Sequence, residues 1–399
     1  MCAAAATKAA AQDAGGALVL NNQLQLGDVI SGQTLNVEGA TDQVTVSNAA
    51  TGNSLSGATE GVSLDVRNVQ TMNGNASATT EISATGDTGA VINATTQANG
   101  NYLAGGAYGG DFAIDSDQTV GPTEITASTA IRGGTARLLN GGNVTAIATG
   151  NTTAMAGSVG YISGAVHQVS EASVRAENLA ETQYVPAAAV FGAQAINNAA
   201  AVNGTDRSGQ SIYIGQRSTG EVVTANTSAN AGNAWDLTGA SVATANQAVI
   251  SNQGGSVVAR TQQENFSQVA STALTTSYDY GRAVASAEGT GNAVSVGNND
   301  KYLELDNSQL NSGGVEVQAS FAGAQGYDAY VSANAAGNSV TGYACAECQA
   351  TLNATNNQVN DGNVRANANT TIIGANRNVI TGSNAVGNSA TFYVTRPGQ

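Results

Sequence analysis

A glutamine and an asparagine recur along this chain at one shared interval. The glutamines are Gln23, Gln70, Gln118, Gln168, Gln216, Gln262, Gln309 and Gln358, in steps of 46 to 50 residues. The asparagines are Asn53, Asn101, Asn151, Asn198, Asn246, Asn292, Asn338 and Asn388, in steps that also run from 46 to 50. Two marks with one period divide the chain into eight units of roughly 48 residues. A fixed period of that size is the signature of a solenoid or array, not of separate globular domains. Glycine accompanies both marks: Gly27, Gly74, Gly220, Gly313 and Gly362 follow their glutamine by four, and six of the eight asparagines follow a glycine.

Inside a unit the apolar residues alternate, as in Val44/Val46, Val62/Leu64/Val66 and Val315/Val317/Ala319/Phe321. Period-two alternation places one set of side chains on one face of a strand. With 10% charged residues and 3 prolines the composition is too poor in both for a disordered chain. The expected fold is all-β: an elongated, parallel β-helix-like solenoid of about eight repeats. A unit of this length is long for one narrow coil, so two coils of about 24 residues are expected in each repeat. Sixteen coils would give a rod about 75 Å long. Inward positions are often Ala or Val, which calls for a thin core. In such a stack the recurring amides face their own kind and form Gln and Asn ladders, with glycine beside them supplying unusual backbone angles. Pro122, Pro186 and Pro397 belong in turns or at the end, since proline deletes a ladder donor. The interval from Gln118 to Asn151 is 33 residues instead of about 30, so extra chain is expected near Gly133-Gly134 or Gly141-Gly142.

Three segments follow. Residues 1–16 read as the residue of an export signal, with Ala9-Ala10-Ala11 before Gln12 as a cleavage-like site, or as a disordered lead. Residues 17–390 are the repeats. Residues 391–399 read as a terminal cap strand and tail, with Phe392 and Tyr393 concentrated there.

Chemistry is sparse. The net charge of −15 and pI near 4.2 exclude a nucleic-acid binder, which needs clustered Lys and Arg. His167 is the single histidine, which leaves no His-based metal cluster. Asp111, Asp115 and Asp117 form the densest acidic set, and Asp115 with Asp117 on one strand face is where a polysaccharide hydrolase or lyase would hold its carboxylates. No partner carboxylates recur one coil away, so no catalytic, cofactor or metal residues are assigned. Cys345-Ala-Glu-Cys348 lacks the second pair that zinc requires and reads as a local disulfide in an exported protein.

The Gly-Asn repeats, the export-like start and the segment from Cys345 through Thr351-Leu-Asn-Ala-Thr-Asn-Asn-Gln-Val-Asn-Asp-Gly-Asn363 together resemble the holdfast anchor protein HfaD family of stalked alphaproteobacteria. The resemblance implies an exported, outer-membrane-associated protein of the cell surface that tethers an adhesive polysaccharide. It also implies a companion holdfast anchor protein and a curli-channel-like lipoprotein as partners, and amyloid-like assembly. The residues themselves suit such a role: Asn- and Thr-rich faces hydrogen-bond sugars without cutting them, and stacked repeats suit a homo-oligomer. A β-helix polysaccharide lyase or hydrolase and a curli-type fibre subunit are the alternatives.

Overall fold

The computed structural model describes residues 16–300, 302–345 and 350–394, and every regular element within them is a β-strand. The first coil consists of β1 (Gly16–Gln25), β2 (Val29–Glu38) and β3 (Gln43–Glu60). The next strand, β4 (Ser63–Met72), lies parallel on β1 with Gly16 opposite Ser63 and Gln23 opposite Gln70. In the same way β3 pairs with Val91–Tyr108, Asn53 standing opposite Asn101. Hydrogen-bonded neighbours are thus one whole unit apart, and each unit makes one coil. This corrects the expected two coils per repeat. A thin core does not require a short perimeter: here the long third strand folds back across the two shorter ones, so a flattened coil of about 48 residues keeps only a thin interior.

Stacking assembles the first strands of the coils into an eight-stranded parallel sheet, and the second and third strands into a thirteen-stranded one. From the fourth coil to the seventh the second and third strands run on as one, in Ser173–Thr205, Val222–Asn252, Gln268–Asn298 and Val315–Ala344. At about 4.8 Å per step the first and eighth coils lie about 34 Å apart, half the expected length.

Three apolar columns run along the axis. One joins the first strands to the ends of the third strands through Leu64, Leu103, Phe112, Met155 and Ile162. The middle column is dominated by alanine, including Ala76, Ala98, Ala127 and Ala148. The last joins second and third strands through Ile82, Ile92, Ile131 and Leu138. Burying each large aliphatic side chain stabilises the fold by roughly 1.5–3 kcal/mol.

The Gly-Asn pair marks a change of phase. In Val91–Tyr108 the side chains in the core are Ile92, Ala94, Thr96 and Ala98, then Asn101, Leu103 and Ala107, with Asn99 buried beside the switch. The even set gives way to the odd set at Gly100, as a β-bulge does. A β-carbon on Gly100 would lie 2.5 Å from the carbonyl oxygen of Gly150 in the next coil. At Gly74, Gly220, Gly313 and Gly362, four residues after a glutamine, glycine is likewise a matter of space: at Gly313 a β-carbon would meet the Ser267 carbonyl oxygen at 2.0 Å, whereas Gly27 has room for one.

The extra chain of the third coil lies between Gly133 and Arg137, where the register with Thr182 and Tyr184 shifts. Pro122 occupies the turn between the first two strands of that coil, and Pro186 lies in the register break between Val185 and Ala188. Residues 391–394 are no separate cap strand; they end the strand Asn378–Val394, in register with residues 341–344 of the coil before. Pro397 lies outside the described residues.

Candidate functional site

Inside the coil, the recurring amides form two columns that face each other. Each glutamine donates through Nε2 to Oε1 of the glutamine one coil earlier, from Gln70 onto Gln23 through to Gln358 onto Gln309, at 2.7–2.8 Å. The asparagines donate in the opposite sense, from Asn53 to Asn101 and onward to Asn388, at 2.8–2.9 Å. The second amide proton of each column crosses the core. Gln70 donates to the carbonyl of Tyr102, next to Asn101, and Asn53 donates to the carbonyl of Thr71, next to Gln70. The two sheets are stitched together at each level, and the opposed columns cancel one another's dipoles.

One residue of the column was misplaced by sequence spacing. Gln263, not Gln262, stands opposite Gln216 and Gln309. Gln262 faces solvent, where its Oε1 accepts from the Tyr213 hydroxyl at 3.2 Å. The period varies between 46 and 50 residues with turn length, so two adjacent glutamines are separated only by which face of the strand each occupies. A further short column, Asn265 to Asn311 to Asn360 at 2.8 and 2.7 Å, was not anticipated.

Asp115 and Asp117 point outward from the first-strand sheet. Their neighbours in register are Arg67 and Ala165, and Val69 and His167. Asp111 uses Oδ1 to accept the Tyr161 N–H at 2.9 Å. Asp115 and Asp117 lie on an open sheet face, and Asp111 just before its strand. His167 packs its ring against Tyr213 at 5.2 Å. Cys345 is buried, while Cys348 and the expected disulfide lie outside the described residues.

A groove opens elsewhere, at the bend between second and third strands. Equivalent bend residues stack along the axis: Tyr184, Asn233, Asp279 and Gln325 form one file, and Ala234, Tyr280 and Gly326 another. Asp236, Arg282 and Asp328 make a third, which puts Trp235, Gly281 and Tyr327 in line just before them. The space is about 540 Å³ and is lined by Tyr184, Asn233, Trp235, Asp279, Gln325 and Tyr327, among others. Gly281 makes the arrangement possible: a β-carbon there would lie 2.8 Å from the Trp235 ring. Trp235, the single tryptophan, is 61% exposed and Tyr327 52%. Their rings meet edge to face at 6.1 Å. Tyr280 instead turns inward, buried against Phe321 with ring centres 4.9 Å apart, and its hydroxyl donates to Asn376.

A second depression, about 290 Å³, lies on the other side of the same rings, among Asp236, Arg282, Asp328 and Arg377. Here charges alternate from coil to coil. Arg282 reaches Asp236 at 3.3 Å, and Arg377 grips Asp328 through two nitrogens while its guanidinium lies 5.6 Å over the Tyr327 ring. The Arg377 hydrogen bond holds the Asp328 carboxyl below its ordinary range. On the opposite side, Asp279 lines the larger groove with one buried carboxylate oxygen that has no donor among the described residues. Flat rings flanked by acceptors, amides and paired arginines make a surface for a ligand with both apolar faces and hydroxyl groups. Sequence reading passed these residues over. Aligning the units on their asparagines would have found them, because Trp235, Gly281, Tyr327 and Arg377 each lie eleven residues before Asn246, Asn292, Asn338 and Asn388.

The family model described as Holdfast attachment protein D, HfaD, matches residues 38–314. The chain belongs to the HfaD family. No curated protein and no solved structure matches it. The HfaD match takes in most of both amide columns and the groove residues Tyr184, Trp235 and Tyr280, whereas Tyr327 and Arg377 lie beyond its end. Holdfast attachment is a role at the cell surface.

Proposed function

We propose that this chain is a non-enzymatic anchor that binds the adhesive polysaccharide of the holdfast and ties it to the outer membrane after export. The observation that carries the reading is the pair of opposed amide columns running through all eight coils. An anchor under load needs a body that does not open locally, and the columns link every coil to the next through buried side chains as well as through the sheet. The companion anchor protein and the curli-channel-like lipoprotein are its proposed partners.

End-to-end association of copies, as in an amyloid-like assembly, is supported by the column polarity. Among the described residues, Gln358 Oε1 accepts no amide proton and the Gln23 amide has one bond, to Ser54. Among the described coils, the one from Thr351 to Val394 offers a glutamine acceptor, the one from Gly16 to Glu60 a glutamine donor, and the asparagines offer the reverse pair.

The test is to incubate the purified protein with holdfast polysaccharide and follow co-sedimentation together with new reducing or unsaturated ends. Binding without new ends is expected. New ends would overturn the reading and return attention to Asp115 and Asp117, and absence of binding would also refute it.

A further inference from the structure

The geometry points to the Trp235–Tyr327 groove as a saccharide-binding subsite that stacks an uncharged pyranose ring on Trp235 and hydrogen-bonds its hydroxyls through Asn233, Asp279 and Gln325. The proposal rests on the anchoring reading and assigns it a place on the molecule.

Four observations carry it. First, the chain's one tryptophan is held in the open. Large aromatic side chains ordinarily bury most of their surface, and Tyr280, in the bend of the next coil, does so. Trp235 is instead propped over Gly281, a position where any side chain would push the ring away. Second, the rings stand between two polar borders. A pyranose has C–H faces that pack on an aromatic ring and an equatorial rim of hydroxyls that seek donors and acceptors, so it matches flat rings with polar flanks. Third, the charges select against acidic sugars. Arg282 and Arg377 are already paired with Asp236 and Asp328, while Asp279 lines the groove with a carboxylate. A ligand hydroxyl can donate to that carboxylate, whereas a uronic acid would face its charge and the net −15 of the chain. Fourth, the space is an open groove of about 540 Å³ that extends past the rings into the second depression. Its volume falls within the usual range for ligand sites, and its openness accommodates a length of polymer passing through, not an enclosed small molecule.

Trp235 is also the reporter, since no other tryptophan contributes emission. The experiment titrates the full chain with holdfast polysaccharide, with the neutral oligosaccharides cellohexaose and chitohexaose, and with hexagalacturonate as the acidic control. Trp235 fluorescence is read in wild type and Tyr327→Ala, and co-sedimentation in these two and in Trp235→Phe and Trp235→Ala. The expected result is a saturable change in Trp235 emission with the polysaccharide and at least one neutral hexasaccharide, and none with hexagalacturonate. Trp235→Ala should weaken polysaccharide binding about tenfold, as loss of a central aromatic anchor does, Tyr327→Ala should weaken it less, and Trp235→Phe should retain most of it. Unchanged circular dichroism in the variants keeps folding out of the comparison.

Polysaccharide binding that leaves Trp235 emission and the Trp235→Ala affinity unchanged would overturn the subsite while leaving the anchor reading intact. A Trp235→Ala variant that binds polysaccharide normally but no longer self-associates would give the groove to a protein partner, which also overturns it. If the wild type binds no polysaccharide and no hexasaccharide moves its emission, both readings fall.

Discussion

Replacing Gln263 by leucine tests the columns where the structure and the spacing of the sequence disagree. Gln263 is fully buried. Its Nε2 donates to Gln216 Oε1 at 2.7 Å and to the Ala293 carbonyl at 3.0 Å, and its Oε1 accepts from Gln309 at 2.8 Å. Leucine fills nearly the same volume and makes none of these bonds. It leaves an oxygen, a carbonyl and an amide proton without partners in the dry interior. Each such group costs about 1–3 kcal/mol, and the three together about 6 kcal/mol at the middle of that range. Burying the leucine side chain returns about 2 kcal/mol, so the expected net loss is about 4 kcal/mol. The adjacent Gln262→Leu removes only two exposed hydrogen bonds, at 3.2 and 3.4 Å, and should stay within about 0.5 kcal/mol of wild type. Urea unfolding followed by far-UV circular dichroism measures the pair. Stacked coils contact only their neighbours, so the loss can appear as local opening. Hydrogen exchange across Ser256–Asn265 and Tyr302–Asn311 should therefore accelerate in Gln263→Leu first. Equal midpoints for the two variants, or a larger loss in Gln262→Leu, would refute the column as the device that fastens the coils.

Gln309→Lys places an ammonium between Gln263 and Gln358 and should destabilise more than leucine does, because the charge has no partner there. Burial favours the neutral amine, so the folded pKa falls below the unfolded value of about 10.4 and the deficit shrinks as pH rises through that window; a pH-independent deficit between pH 7 and 10 would argue against a buried position. Gly313→Ala should lower the melting temperature by several degrees, since its β-carbon would sit 2.0 Å from the Ser267 carbonyl oxygen, whereas Gly382→Ala meets nothing within 4 Å and should melt like wild type. Equal melting temperatures would remove the steric account of the repeated glycine. Asp328 is held below its ordinary value of 3.8, first by the Arg377 hydrogen bond. A lowered folded pKa gives a contribution present above pH of about 4 and lost as pH falls through the folded value. Arg377→Ala should move the Asp328 carboxyl titration, followed by carbon NMR, up toward the ordinary range, and an unmoved titration would exclude the ion pair as the cause.

How much of this was legible from the residues differs from feature to feature. The asparagine column could be read in all eight members: a glycine marks six of them and Ala245 marks Asn246, while at Asn197-Asn198 the spacing picks the member that stands in the column. The glutamine column was legible at every member but one, failing only at Gln262, where two glutamines lie side by side and the count of 46 or 47 depends on a turn. The groove was missed because its members belong to the bend, the part of the unit that varies most: Trp235 and Tyr327 are two coils apart and have only Gly281 between them.

By itself the sequence determined that the chain is β, that it repeats with a period of roughly 48 residues, and which residue types face their own kind along the axis. Stacking of identical positions is information along one dimension, and a linear sequence carries it in full. How often the chain circles within a period is a different matter, since a narrow coil traversed twice and a flattened coil traversed once have the same period and the same thin core. Only pairing between strands, with β1 on β4 and Asn53 on Asn101, decided for one coil. The tertiary structure also decided the opposed directions of the two amide columns. An amide side chain can donate either way along a stack, and the choice is made by the carbonyl groups that the facing sheet presents across the core.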